Sequence, residues 1–222
     1  MQLINNNPIG FFDSGIGGIS VLKVVRKLLP YENYIYFSDF ANIPYGNKTS
    51  GYVDRRCEFI TEYLIRRKAK VIVIACNTAT ANSIDKLRKK YNIKFIGVEP
   101  AIKPAAKITA SKKIAIMATG LTTSSFRISK LVKMQNKNLK FIIIPCVSLV
   151  EEIEKKPTGN SKLTKKIRAY LDPAIKEGVD TIVLGCTHYS FVKDLITYEY
   201  NSKIKVVDAN EAIALELKRD LT

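Results

Sequence analysis

The stretch VIVIACNTATA, residues Val71 to Ala81, sets the fold of this chain. Its small or β-branched apolar residues, Val71 to Ala75, predict a strand buried on both faces, as in the middle of a parallel sheet. Cys76, Asn77 and Thr78 follow at the carboxyl end of that strand, and a helical pattern begins at once. A thiol placed there faces a helix amino terminus, where free N–H groups and the helix dipole favour a thiolate and anionic ligands.

The same pattern recurs in the second half of the chain. Residues Thr181 to Ser190 read TIVLGCTHYS, an apolar strand that ends in Cys186 and continues into Thr187 and His188. Further strand candidates repeat in the same order: Ile9–Gly15 with Ile114–Gly120, Tyr34–Asp39 with Phe141–Cys146, and Ile93–Glu99 with Ile204–Ala209. This repetition predicts an α/β fold of two similar domains, each a mainly parallel sheet flanked by helices.

The composition is ordinary for a globular protein except for its charge. The 222 residues, 46% of them hydrophobic, suffice for one large domain or two small ones. The amino terminus lacks a secretory pattern and no apolar run could span a bilayer, so we expect a cytoplasmic protein without membrane contact. The net charge of +16 attracts anions. Because Lys and Arg are scattered without interleaved aromatics, we expect a solvated surface rather than specific nucleic-acid binding.

The four cysteines fall into two groups. None of them has CxxC spacing and the chain has a single histidine, so we expect neither a structural metal site nor a disulfide framework. Cys57 continues an apolar helical face and Cys146 ends an apolar run, which favours packing for both. Cys76 and Cys186 instead lie at matching strand ends, each followed by polar residues. This pairing indicates a shared chemical role.

The glycine-rich turn Asp13–Gly18 has two interpretations. With Asp39 ending the next strand candidate, it resembles a degenerate dinucleotide fingerprint, which would indicate a nicotinamide-dependent oxidoreductase. However, Ser20 replaces the third small residue, and Asp13 would place a carboxylate close to the pyrophosphate. We therefore favour the second interpretation, in which Asp13 and Ser14 point into a pocket at the strand end.

Two thiols at equivalent strand ends can face one ligand from opposite sides. Such a pair can remove a proton from one face of a carbon and deliver another proton to the opposite face. Hydrogen-bonding side chains beside the thiols could bind carboxylates and stabilise charge on the carbon; they are Asn77, Thr78 and Thr187. Asp13 and His188 could tune the two thiols. The turn Pro44-Tyr45-Gly46 is suited to hold a hydroxyl and backbone N–H groups over a cleft.

Several motifs together resemble those of the cofactor-independent glutamate racemases. They are FDSGIGG at Phe12–Gly18, PYG at Pro44–Gly46, ACNTATA at Ala75–Ala81, GVEPA at Gly97–Ala101 and LGCTHYS at Leu184–Ser190. The match covers nearly the whole chain in the family's order. The resemblance implies interconversion of L- and D-glutamate without pyridoxal phosphate or any other cofactor, supplying D-glutamate for peptidoglycan. A racemase for another amino acid, notably aspartate, is the nearest alternative.

The resemblance also implies roles for individual residues and a domain layout. Cys76 and Cys186 would be the paired acid/base residues, assisted by Asp13 and His188. The substrate site would be lined by Asp13, Ser14, Tyr45, Gly46, Asn77, Thr78, Thr187 and His188. Two facing domains related by a pseudo-twofold axis would enclose the site, with residues 1–98 plus 209–222 forming the first and residues 99–208 inserted as the second. Family members are commonly homodimers.

Some positions depart from the family pattern. Ile128 stands where a tyrosine is usual, and Val147 follows Cys146 where a proline is common. Glu154 lies at a position that often carries a glutamate, and we expect it to be either a secondary electrostatic contributor or a solvated helix residue. These departures concern rate, dimer contacts and regulation more than the reaction itself.

Overall fold

Two parallel sheets form the framework of the structure, a computed structural model that describes residues 6–201 and 203–221. The first sheet contains β1 (Ile9–Asp13), β2 (Tyr34–Ser38), β3 (Val71–Ile74) and β4 (Phe95–Gly97). The second contains β5 (Lys113–Ala118), β6 (Lys140–Pro145), β7 (Thr181–Leu184) and β8 (Lys205–Val207). Their orders are β2-β1-β3-β4 and β6-β5-β7-β8. All pairings within them are parallel.

The strand order confirms the internal repeat seen in the sequence. Each predicted strand pair occupies the same place in its sheet, so β1 corresponds to β5 and β3 to β7. Every residue of β3 and of β7 is buried. This burial on both faces explains the uninterrupted apolar sequences of these strands.

Helices and short 3₁₀ helices connect the strands. The α-helices are α1 (Ile19–Leu28), α2 (Ser50–Arg66), α3 (Asn77–Lys90), α4 (Ile102–Ile108), α5 (Gly120–Thr123), α6 (Phe126–Lys133), α7 (Leu149–Lys155), α8 (Ser161–Lys176), α9 (Lys193–Glu199) and α10 (Asn210–Leu221). The 3₁₀ helices are Phe40–Asn42, Tyr45–Asn47 and Thr187–Val192. Side-chain caps begin several helices; for example, Thr49 accepts a hydrogen bond from the Tyr52 N–H at the start of α2.

The last helix, α10, packs against the first sheet. Ile213 and Leu217 join Val21 and Val25 of α1 in one buried apolar cluster that also includes β1 and β3 side chains. The chain therefore leaves the first sheet after β4, builds the second sheet and returns. The domain boundaries given above remain a prediction, and residues 1–5, 202 and 222 of that division lie outside the described residues.

The two cysteines predicted to pack are both in cores. Cys57 lies on the buried face of α2, and Cys146 is buried in the cluster between the second sheet and α8. Within residues 6–201 and 203–221, no helix has the length and hydrophobicity needed to cross a membrane. The same residues contain no group of three or more His, Cys, Asp or Glu side chains that could hold a metal ion.

Candidate active site

The residues that follow β1, β3, β5 and β7 meet between the two sheets. Parallel strands place their carboxyl ends on one edge, which is where α/β proteins bind ligands. Here the Asp13 carboxylate accepts a hydrogen bond from Thr187 Oγ1 at 2.8 Å, and Thr78 Oγ1 lies 2.9 Å from Thr119 Oγ1. The two repeated units of the sequence thus contribute the two facing halves of one site.

Asp13 is the buried carboxylate at the centre of the first half. Its Oδ1 accepts hydrogen bonds from Ser14 Oγ at 3.2 Å and from the Gly15 N–H at 2.9 Å, while Oδ2 accepts the bond from Thr187. Cys76 Sγ in turn donates to Ser14 Oγ at 3.8 Å. Asp13 therefore joins one predicted thiol to the opposite half of the site.

Cys76 lies directly before α3 and is 5% exposed. Burial raises the pKa of its thiol to about 12, and the Asp13 carboxylate acts in the same direction. The Ala79 N–H at the helix start lowers the pKa, as the sequence position predicts, but the burial is the larger effect. In this closed arrangement Cys76 is a neutral thiol.

Cys186 has a different neighbour, an imidazole. Its Sγ lies 3.9 Å from His188 Nδ1, and His188 Nε2 lies 2.6 Å from Glu154 Oε1. Burial opposes the charge on His188, but its hydrogen bonds to Cys186 and Glu154 outweigh burial and raise its pKa to about 10. Burial raises the pKa of Cys186, and the hydrogen bond from His188 works against that rise. Burial is the larger effect, so the pKa of Cys186 stays above its usual value, and the imidazole only reduces the cost of forming a thiolate.

Glu154 belongs to the site and is not a solvated helix residue. Its Oε1 accepts a hydrogen bond from the Ile16 N–H at 3.0 Å in addition to its contact with His188. Burial favours the neutral carboxyl, but the bonds from His188 and Ile16 lower its pKa. Glu154 is consequently the charged partner that keeps His188 protonated.

The two thiols share one electrostatic environment. A charge on Cys76 raises the pKa of Cys186, which shows that the two sulfurs interact. Mutual repulsion disfavours two thiolates at once. The arrangement therefore disfavours simultaneous charge on Cys76 and Cys186.

Three threonine hydroxyls form a cluster at the starts of α3 and α5. Thr78 Oγ1 lies 2.9 Å from Thr119 Oγ1 and 3.1 Å from Thr122 Oγ1, and the last two lie 2.9 Å apart. Thr119 and Thr122 are missing from the predicted substrate site. The repeat could have indicated Thr119, because it follows β5 as Ser14 follows β1.

The remaining predicted site residues surround this centre at different depths. Tyr45 is 1% exposed and donates its hydroxyl to Asp39 Oδ2 at 2.6 Å. Asn77 donates its side-chain amide to the Val98 carbonyl at 3.3 Å, so it is engaged with the segment that leaves the first sheet. Gly46 faces Thr119.

Glycine is required where the backbones of the two halves approach closely. A Cβ atom on Gly17 would lie 2.5 Å from Thr187 Oγ1, and a Cβ atom on Gly46 would lie 2.6 Å from the Thr119 Cβ atom. Such distances do not occur between real side chains, so any larger residue would push the halves apart. The glycine-rich turn serves this close approach.

Comparison with known proteins identifies the family. Residues 21–217 match the family model described as Asp/Glu/Hydantoin racemase. The chain belongs to the Asp/Glu/hydantoin racemase family. Within this family, the chain is 39% identical to the glutamate racemase of Methylococcus capsulatus over 98% of its own length and 80% of that relative.

Solved structures of the racemase family share the fold. The Escherichia coli glutamate racemase, in complex with L-glutamate and the activator UDP-MurNAc-Ala, aligns with a TM-score of 0.89 at 32% identity, covering 97% of this chain and 82% of that one. The Francisella tularensis glutamate racemase, in complex with D-glutamate, aligns with a TM-score of 0.85 at 30% identity, covering 98% and 81%. The resemblance drawn from the sequence motifs and the predicted two-sheet α/β fold are both confirmed.

Two residues depart from the racemase pattern, and they differ in burial. Ile128, where a tyrosine is usual, is buried in an apolar cluster with Ile102 and Ile116. Val147, where a proline is common, is 57% exposed.

Proposed function

We propose that this protein is a glutamate racemase that interconverts L- and D-glutamate through Cys76 and Cys186. The observation that carries the proposal is the placement of the two thiols at the ends of equivalent strands, β3 and β7, with different acid/base partners beside each. Family membership supports the same reaction class, which is an isomerisation. In this proposal, D-glutamate serves peptidoglycan synthesis.

The reaction needs one base and one acid on opposite faces of the α carbon. A thiolate takes the Cα proton, leaving a carbanion, and the other thiol gives its own proton to the opposite face. The proton count balances, because each turnover ends with the thiol and the thiolate exchanged. The reverse reaction then starts from the product and regenerates the first state.

In the proposal, the neighbours of the two thiols support different roles for them. The protonated His188, held by Glu154 at 2.6 Å, reduces the cost of forming the thiolate of Cys186 that burial imposes. The Asp13 carboxylate disfavours charge on Cys76, which therefore rests as the thiol. In the proposal, the enantiomer whose Cα–H faces Cys186 reacts when Cys186 is in its thiolate form.

The remaining polar groups are suited to hold the substrate. In the proposal, hydroxyls and backbone N–H groups at the start of α3 and around Thr187 bind carboxylates and stabilise charge on the α carbon. Closure of the two halves removes water from the carbanion. The residues proposed to line the substrate are Asp13, Ser14, Tyr45, Gly46, Asn77, Thr78, Thr187 and His188.

The domain division and the oligomeric state are the larger-scale parts of the proposal. We propose a division into residues 1–98 plus 209–222 and residues 99–208, which is supported by the packing of α10 on α1 in the first-sheet cluster. We further propose a cytoplasmic homodimer without specific nucleic-acid or membrane partners. Light scattering after size-exclusion chromatography tests the dimer, and a single 25 kDa species would contradict it.

Proton NMR in deuterated water tests the reaction. L-glutamate and D-glutamate are incubated separately with the purified protein, and loss of the Cα–H signal is followed together with optical rotation. We expect exchange and racemisation in both directions without an added cofactor. Exchange with aspartate but not with glutamate would show that aspartate is the substrate. No exchange with either amino acid would overturn the proposal.

A further inference from the structure

Asp39 is a buried carboxylate to which the reaction gives no role. It follows β2, is 4% exposed, and donates its backbone N–H to the Asp13 carbonyl at 2.9 Å. Asp39 therefore stands beside the central carboxylate of the site, on the same edge of the first sheet.

The Asp39 side chain is held by four hydrogen bonds. Arg56 donates from Nε to Oδ2 at 2.9 Å and from Nη2 to Oδ1 at 2.6 Å. Tyr45 OH donates to Oδ2 at 2.6 Å, and Asn42 Nδ2 donates to Oδ1 at 2.9 Å. The Arg56 guanidinium also lies over the Phe59 ring, 4.7 Å from its centroid. A two-pronged Arg–carboxylate pair of this kind is both strong and directional.

The segment that Asp39 holds is not fixed by a strand ladder. Residues 40–47 consist of two short 3₁₀ helices between β2 and α2, so side-chain contacts decide where the segment lies. A Cβ atom on Gly15 would lie 2.3 Å from Ile43 Cδ1, and Gly46 packs equally tightly on Thr119. The segment is thus a wall of the cleft that contacts both halves of the site.

We propose that Asp39 and Arg56 are positioning residues that fix the turn at Tyr45 and Gly46 and thereby set the preference for glutamate over aspartate. The inference rests on the proposed function, in which this turn lines the substrate. The thiols lie at one end of the space that the substrate occupies. The turn at Tyr45 and Gly46 forms the wall at the other end of that space. Aspartate is shorter by one methylene, and a rigid pocket discriminates one methylene by about 10–200-fold.

The test compares Asp39→Asn and Arg56→Met with the unmodified full-length protein. The readouts are the KM for glutamate and the inhibition constant of aspartate in the glutamate assay, because neither depends on the fraction of folded enzyme. We expect the glutamate KM to rise about tenfold while the aspartate constant changes less than threefold, so discrimination falls. Arg56→Lys keeps the charge without the two-pronged geometry and should fall between these variants and the unmodified protein.

The matched control is Glu32→Gln, at the other end of β2. Glu32 forms an ion pair with Lys70 at 2.6 Å, and both side chains are partly buried. Glu32→Gln therefore removes one carboxylate from an ion pair, as Asp39→Asn does. We expect discrimination to stay unchanged in this variant. Hydrogen exchange of residues 40–48 should accelerate in Asp39→Asn and not in Glu32→Gln.

The outcomes separate this inference from the reaction itself. Normal glutamate racemisation with unchanged discrimination in Asp39→Asn and Arg56→Met would overturn the positioning role and leave the function standing. Unmodified protein that does not racemise glutamate would overturn both. Unchanged exchange of residues 40–48 would show that Asp39 does not hold the turn.

Discussion

At the scale of single residues, the two thiols differ more than their matching sequence positions suggest. Both are buried, yet one faces a carboxylate through Ser14 and the other faces an imidazole that Glu154 keeps charged. The sequence predicts a pair of equivalent groups, whereas the structure gives the two thiols different neighbours. That asymmetry arises because each thiol takes its neighbours from its own half of the site.

Replacing either thiol tests the two-base assignment. We expect Cys76→Ser and Cys186→Ser each to reduce racemisation by about 10²–10⁴-fold, because a serine hydroxyl is a poor proton acceptor at neutral pH. The control is Cys146→Ala, since Cys146 is equally buried but packs in a core. Racemisation at the unmodified rate in either serine variant, with the fold verified by circular dichroism, would contradict the assignment.

His188 should make stability depend on pH. Its pKa is raised from the usual value near 6.5 to about 10, so the folded state binds the proton more tightly than the unfolded state does. The resulting stabilisation is complete below about pH 6.5 and is lost as pH rises through about 10. In urea unfolding, the difference in unfolding free energy between the unmodified protein and His188→Asn should shrink from pH 6 to pH 10. A difference that grows with pH would contradict this prediction.

At the scale of secondary-structure elements, the close packing of the turn at Gly46 against α5 controls the cleft. Gly46→Ala places a Cβ atom 2.6 Å from that of Thr119, so the wall must move. A displacement of about 1 Å at a reacting centre costs about 10²-fold in rate, and we expect a fall in kcat/KM of that order.

The matched control for this change is Gly51→Ala. Gly51 lies in the first turn of α2, where a Cβ atom would come no closer than 3.7 Å to Arg55 Nη1. This variant should keep its kcat/KM and gain slightly in stability, because alanine favours the helix. Equal activity of the two alanine variants would show that the contact with Thr119 is not critical.

At the scale of the whole molecule, the net charge of +16 should act on the substrate through long-range attraction. Glutamate is an anion at neutral pH, and salt screens charges over a Debye length of about 10 Å at 0.1 M. We expect kcat/KM to fall severalfold between about 0.01 M and 0.3 M salt, with kcat less affected. Sodium chloride and choline chloride should act alike, and a kcat/KM independent of salt would contradict the prediction.

The sequence by itself determined the fold class, the repeat and the two thiols. Apolar runs such as Val71–Ala75, polar residues at the strand ends and the order of the repeated strands are local signals, and periodicity reports them directly. The family motifs added the reaction and most of the predicted site residues. The sequence shows glycine at positions 17 and 46, but it does not show the close contacts with Thr187 and Thr119 that require glycine there.

Only the tertiary structure decided how these parts meet. The pairing of Asp13 with Thr187, of His188 with Glu154 and of Thr78 with Thr119 joins residues far apart in the chain. The pKa values follow from that burial and pairing, because desolvation and neighbouring charges depend on distance in space rather than in sequence. For the same reason Asp39, which as sequence suggested a nucleotide contact, proves to be the partner of Arg56 and Tyr45 in the wall of the cleft.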